Sequence, residues 1–234
     1  MSINIKRWVF HVEQQPLNEL VKFLSQRKIV LDQNQIGQLG RYASLLYDYS
    51  GRMSLVSASD RPYLVYRHFL ECFVYVQHLA SFLREGMRLA DIGTGAGLPG
   101  VILSVMFPQV DIVLVESVRK KTLFLKKIKE ELALSYTVIN NRIEKMADDG
   151  AGIFDVVTAR ALAAIPLLVK YAFPLLRRGG QLHVIKGLDY KKELDSKTPY
   201  ELAALGMDDA WVAYGDYLAH RKYIIIRKAD EDGI

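Results

Sequence analysis

Residues 91–100 read Asp91-Ile92-Gly93-Thr94-Gly95-Ala96-Gly97-Leu98-Pro99-Gly100, directly after the apolar run Arg88-Leu89-Ala90. A short apolar run that ends in glycines and leads into a helical pattern is a strand, a loop and a helix start. Glycine lets the backbone turn sharply there and approach a ligand with no side chain in the way. A plain turn uses glycine for the same reason, so the ligand has to be argued from the neighbours. Gly95, Gly97 and Gly100 match the dinucleotide fingerprint G-x-G-x-x-G, which is weak on its own. A nicotinamide-dependent oxidoreductase is therefore one reading. Asp91 weighs against it, because a carboxylate at the strand end would repel a pyrophosphate arriving at the helix start. S-adenosylmethionine has no phosphate and carries an ammonium and a sulfonium, which suit a carboxylate beside the loop. Glu116 lies 116 − 93 = 23 residues after Gly93, near the spacing of roughly 20 at which an acidic side chain accepts bonds from ribose hydroxyls. Glu116 supports an adenosine ligand without choosing between the two.

Outward from the loop the same rhythm repeats. Apolar runs at 88–92, 110–115, 136–139, 154–158 and 181–185 alternate with helix-like stretches, the pattern of a parallel sheet covered on both faces. Residues 210–214 and 223–227 have no room for a long crossover helix and read as an antiparallel hairpin. The expectation is an α/β fold, doubly wound, with five parallel strands and a closing hairpin making seven. Before this unit the periodicity is helical. Leu17, Leu20, Val21 and Leu24, then Ile36, Leu39, Tyr42, Ala43 and Leu46, recur at three- and four-residue steps. Asp32 stands at an N-cap position, and Asp60-Arg61-Pro62 opens a further helix. Residues 1–85 are thus expected to form a helical cap and residues 86–234 the cofactor-binding domain.

Composition limits the classes. The chain has 234 residues, half of them hydrophobic, with a net charge of 31 − 26 = +5, so it is a globular protein rather than a disordered chain. The single cysteine, Cys72, excludes an internal disulfide and cysteine-based zinc sites. The longest apolar stretch, 165–176, is broken by Lys170 and Pro174 and is short of the ~20 residues that span a bilayer. A cytoplasmic protein is expected, with no metal and no membrane. The slight basic excess favours anionic partners.

The motifs Asp-x-Gly-Thr-Gly-Ala-Gly-Leu-Pro-Gly, Leu114-Val115-Glu116-Ser117, Asn141-Arg142-Ile143-Glu144, Ala159-Arg160-Ala161 and Ile185-Lys186-Gly187 resemble the bacterial 16S ribosomal RNA guanine-N7 methyltransferases, the RsmG or GidB family. The similarity covers most of the chain from about Asp32 to Lys228. It implies a Rossmann-like class I methyltransferase fold and S-adenosylmethionine-dependent methylation of N7 of guanine 527 in the 530 loop of 16S rRNA. It also implies that Gly93 and Leu98 line the cofactor, that Ile143 and Glu144 flank its adenine, and that Arg160 completes the pocket. Three departures stand out. Ser54-Leu55-Val56 replaces the family's Asn-Leu-Thr, His68-Phe69-Leu70-Glu71 replaces His-Phe-Leu-Asp, and Glu116 stands for an aspartate.

The chemistry agrees with the residues present. N7 of guanine offers a free lone pair at neutral pH, so attack on a sulfonium methyl needs no proton removed and no catalytic side chain. The task is holding N7 in line with the methyl. Cys72 lies far in sequence from every strand end, where a nucleophile for carbon methylation would be needed. The Asn-Pro-Pro-Tyr motif of exocyclic-amine methylation is missing, Thr158-Ala159-Arg160-Ala161 standing at the end of the fourth strand. Arg160 and Lys186 sit at strand ends: Arg160 is placed to hold the cofactor carboxylate or guanine O6, Lys186 a phosphate. Arg119 and Lys120 open a helix near the site and are candidates for RNA phosphates. In the helical third, Arg41, Arg52, Arg61, Arg67 and His68 alternate with Tyr42, Tyr47, Tyr49, Tyr63 and Tyr66, a composition compatible with stacking on unpaired bases, although core and rim tyrosines are the blander account of it. N7 faces the major groove, which a protein cannot enter in A-form RNA, so the target is unpaired or flipped out. The expected partner is 16S rRNA or the 30S subunit, met by a monomer. A non-enzymatic RNA-binding module is the second alternative.

Overall fold

The computed structural model describes residues 5–149, 151–194 and 201–228. Helices α1 (Ile5–Gln26), α2 (Gln33–Met53) and α3 (Leu70–Leu79) make up the helical third. Asp32 caps α2 as expected. Its carboxylate accepts the Gln35 N–H at 2.8 Å while the Gln35 side chain accepts the Asp32 N–H, a reciprocal arrangement that satisfies two helix-end donors. After Asp60 the chain makes a short 3₁₀ turn (Arg61–Tyr63) and a π-helical turn (Leu64–Phe69) before α3.

The second part alternates as the apolar runs require: β1 (Arg88–Ile92), α4 (Gly100–Met106), β2 (Asp111–Glu116), α5 (Arg119–Glu131), β3 (Thr137–Asn140), α6 (Ile143–Asp148), β4 (Phe154–Arg160), α7 (Ile165–Ala172) and β5 (Leu176–Gly187). The seven-stranded sheet has the order β3-β2-β1-β4-β5-β7-β6, where β6 is Glu201–Gly206 and β7 is Arg221–Arg227. Its first five strands are parallel, and β7 is antiparallel to both β5 and β6.

The hairpin expectation needs correcting. Residues 210–214 are not a strand but lie in helix α8 (Asp209–Tyr214), and the partner of β7 comes from 201–206. Asp208 caps α8 by accepting the Trp211 N–H at 3.2 Å. Trp211 and Tyr214, three residues apart, both pack on Phe23 of α1, with ring centroids 5.2 and 4.3 Å away. That spacing is met by a helix and not by a strand, whose faces alternate every second residue.

Both sheet faces are covered, which is why the strands read as continuous apolar runs. Leu89, Ile112, Leu114, Val156 and Ile185 join the core formed with the helical third, α4 and α5, whereas Ala90, Ile92, Val113, Val115, Val157 and Val184 face α6 and α7. The helical third therefore shares one core with the sheet. Two buried tyrosines tie them: Tyr42 of α2 donates to the Ala96 carbonyl at 2.8 Å, and Tyr75 of α3 donates to the Ala159 carbonyl at 2.9 Å and accepts the Ile185 N–H at 3.0 Å.

Candidate active site

The strand order reverses between β1 and β4, and ligands of open α/β sheets bind outside the carboxyl ends of strands at such a point. The register there opposes Ile92 to Val115 on one side and to Ala159 on the other, with Glu116 opposite Asn140 and Arg160 opposite Ile185. A cleft of about 250 Å³ opens at this edge, lined by residues that follow four successive strands: Gly93 after β1, Ser117 after β2, Asn141 to Glu144 after β3 and Leu162 after β4, with Val115 in the wall. Of the residues expected at a ligand, Gly93, Ile143 and Glu144 line it. Ser117, Asn141, Arg142 and Leu162 join them from the one or two positions after a strand, and Val115 from the end of β2.

The loop is held in shape from below. Asp91 is fully buried. One of its oxygens accepts both the Thr94 hydroxyl and the Gly100 N–H, the latter at 2.9 Å, and the other accepts the Thr158 hydroxyl at 2.9 Å. Burial pushes its carboxyl up to about 6, against the pull of these hydrogen bonds and of Arg160. Gly100 permits the contact, since a Cβ there would stand 2.2 Å from Leu114 and 2.7 Å from the Asp91 carboxylate. Gly93 has a left-handed backbone, φ +63°, and a Cβ there would meet Leu162 at 2.6 Å. The bare backbone is thus what leaves the cleft floor open. Glu116 spans the loop and the next turn: it accepts the Gly95 N–H at 3.0 Å and the Val118 N–H at 2.7 Å. Asn140 fixes the bend after β2 by donating to the Glu116 and Ser117 carbonyls. Leu98 is buried in the core with the helical third, and its side chain does not line the cleft.

Strand parity sorts the remaining candidates. Arg160 is in phase with Val156 and Thr158, so it points toward the helical third. Its Nη1 donates to His68 Nδ1 at 2.8 Å and to Glu71 at 3.1 Å. An arginine only donates, so His68 Nδ1 is the acceptor and the proton sits on Nε2. Burial, and next the positive charge of Arg160, holds the His68 pKa down at about 4. Lys186 lies on the opposite face. Its ammonium donates to the Ala163 carbonyl at 2.6 Å and pairs with Glu193 at 2.8 Å, and Glu193 also accepts the Ile165 N–H. Lys186 therefore secures the loop from β4 to α7, its charge met inside the protein rather than held free for a phosphate. Arg119 and Lys120 are exposed at the start of α5, beside Ser117. Cys72 is fully buried within α3, and burial pushes its thiol up. Among the described residues no three His, Cys, Asp or Glu side chains gather as metal ligands, and no helix is long and apolar enough to cross a membrane.

A sheet of this order with its last strands antiparallel, a glycine loop after the first strand and a carboxylate ending the second, defines the class: a Rossmann-like methyltransferase fold. Solved structures agree on the fold. The plantazolicin methyltransferase BpumL superposes with a TM-score of 0.56 at 12% identity, over 84% of this chain and 97% of that one. The T. thermophilus 16S rRNA N2 methyltransferase RsmC superposes with a TM-score of 0.52 at 18% identity, over 68% of this chain and 43% of that one. The particular family follows from sequence. Residues 35–211 match the GidB family, rRNA small subunit methyltransferase G. The ribosomal RNA small subunit methyltransferase G of Desulfitobacterium hafniense is 33% identical over 86% of this chain and 84% of its own, and that of Roseiflexus castenholzii 39% identical over 73% of each. The chain belongs to this family.

Proposed function

We propose that the protein transfers the methyl group of S-adenosylmethionine to N7 of a guanine in 16S ribosomal RNA, position 527 in the 530 loop. The observation that supports this most directly is the cleft at the β1–β4 switch point, bare over Gly93 and walled by Val115, Ile143 and Leu162, with the buried Glu116 carboxylate holding the glycine loop at Gly95. These parts fit an adenosine: apolar side chains for the base, and carboxylate oxygens of Glu116, each with lone-pair capacity beyond its single backbone bond, for ribose hydroxyls. The cofactor supplies an electrophilic methyl on a sulfonium. The protein's own part is to bind and orient, because N7 brings its own lone pair and no proton has to leave first. Asp91 sets the shape of the loop and adds negative charge under it. To Arg160, clamped by His68 and Glu71 on the side of the helical third, we assign an acceptor oxygen of the cofactor or of guanine, and to the exposed Arg119 and Lys120 the RNA phosphates.

The test is transfer of tritiated methyl from S-adenosylmethionine to 30S subunits and to naked 16S RNA, followed by mass-spectrometric mapping of the modified nucleotide. Label at a single N7-methylguanine is expected. Tight NADH binding without any S-adenosylhomocysteine binding, or no label in either RNA, would overturn the reading.

A further inference from the structure

We propose that the end of α2 and the turn linking it to α3, residues 48–69, form a docking ridge for unpaired RNA, with Tyr63 as a stacking platform for a base and Arg52 and Arg61 as phosphate contacts. The proposal rests on the rRNA reading above and deepens it by assigning the part of the chain that grips the strand.

The structure separates the tyrosines that composition could not. Tyr42 is fully buried, Tyr66 donates to Glu19, Tyr49 packs on Phe124, and Tyr47 lies under the Arg61 guanidinium, 5.7 Å from ring centre to carbon. Tyr63 is 48% exposed, and the Arg67 guanidinium lies over its ring at 4.6 Å. Arg67 is held in that pose by Asp60 at 2.8 Å, itself braced by the Ser57 hydroxyl at 2.9 Å. A half-bare ring buttressed by a fixed cation is a platform for a base, and stacking of this kind is indifferent to base identity.

Charge and place agree. Asp48 and Asp60 are the carboxylates within the ridge and Glu19 of α1 reaches it at Tyr66; Asp60 is occupied by Arg67 and Glu19 accepts from Tyr66, whereas Arg52 and Arg61 have no ion-pair partner among the described residues. The Nε of Arg61 is buried without a hydrogen-bond partner. The ridge is fastened beside the site at two points. His68, in the same π-helical turn, meets Arg160 at the end of β4, and the Tyr217 hydroxyl donates to the Arg67 carbonyl at 2.6 Å. A guanine held over the end of β4 thus has its neighbouring nucleotides at the ridge. A ring can stack only on a base whose face is free, so the ridge favours loops over duplex.

The experiment measures fluorescence anisotropy of a labelled 16S fragment spanning the 530 loop, and of a fully paired duplex of equal length, from about 50 to 200 mM salt, in the presence of S-adenosylhomocysteine. Wild type is expected to prefer the loop RNA. Tyr63→Ala should lose about tenfold in affinity for it, with Tyr63→Phe near wild type. Arg52→Gln and Arg61→Gln should each lower the slope of log affinity against log salt by about one. S-adenosylhomocysteine affinity and melting temperature should be unchanged in all four variants, which separates docking from folding. Wild-type affinity in Tyr63→Ala with unaltered salt slopes in the arginine variants would overturn the ridge even if methyl transfer to 16S RNA is confirmed. Loss in these variants would support the ridge even if the methylated position proves to be another.

Discussion

Replacing Asp91 separates two roles that the sequence merges: bracing the loop and carrying charge beneath it. In Asp91→Ala the Gly100 N–H and the Thr94 and Thr158 hydroxyls lose their acceptor inside the core. The backbone donor cannot reverse, and an unmet buried group costs about 1–3 kcal/mol. With the hydroxyls partly relieved and a buried charge removed, a net loss of about 3 kcal/mol is expected. At about 2–4 °C per kcal/mol for a chain of this size, melting falls by roughly 6–12 °C. Asp91→Asn behaves differently. Its amide oxygen can remain under Gly100 and Thr94 while its NH₂ faces Thr158, whose hydroxyl accepts as readily as it donates. Stability should then stay within about 1 kcal/mol of wild type, and the group with a raised pKa of about 6 disappears. If the carboxylate charge helps hold a cation, Asp91→Asn should weaken S-adenosylmethionine more than the sulfonium-free S-adenosylhomocysteine, several-fold in the ratio of the two dissociation constants. Urea denaturation and isothermal titration at pH 7.5 read both quantities. An asparagine variant as unstable as the alanine variant would refute the bracing geometry; an unchanged ratio of dissociation constants would refute the electrostatic role.

Other perturbations follow from the same geometry. Gly93→Asp should abolish S-adenosylhomocysteine binding with only a modest fall in melting temperature, because the obstructing Leu162 side chain is 37% exposed and can move; titration calorimetry and circular dichroism on one sample check both halves. Gly97→Ala should instead damage the fold: φ is +99° and the new methyl meets Val101 at 2.5 Å and Leu125 at 2.9 Å, so a loss of several kcal/mol, of the order seen for overpacked cores with backbone strain, is expected in urea titrations. Tyr75→Phe removes the hydroxyl that serves the Ala159 carbonyl and the Ile185 N–H, at a cost of about 2–3 kcal/mol in the same assay. His183 is buried between Tyr223 and Gln181, and burial, then His78, holds its pKa at about 3. Its folded pKa is below the unfolded value of about 6.5, so its contribution is present above pH 6.5 and is lost as pH falls toward 3, by up to about 1.4 kcal/mol per pH unit. Asp91 acts oppositely, losing stability as pH rises through about 6. The melting-temperature gap between wild type and His183→Gln should therefore narrow from pH 7 to pH 5, and a constant gap would contradict the burial of a neutral imidazole.

The sequence by itself determined the α/β rhythm, the glycine loop and the placing of Asp91, Glu116 and Arg160 at strand ends, because strands buried on both faces must be apolar throughout and glycine must stand where the backbone turns against a ligand. It misread 210–214, where Ala-Trp-Val-Ala-Tyr is apolar throughout and so carries no polar position to set a period, and only the docking of Trp211 and Tyr214 on Phe23 of a distant helix decides for α8. Tertiary structure also decided which way each strand-end cation turns. Arg160 faces His68 and Glu71, and Lys186 faces Ala163 and Glu193 on the other side of the sheet. The parity of β4 and β5 is written in the chain, but three of the four partners lie 23 to 92 residues away, and contacts between such distant segments are fixed by packing rather than by local pattern. The same holds for the tyrosines of the helical third. Composition places them near arginines, while the fold buries Tyr42 and leaves Tyr63 in water.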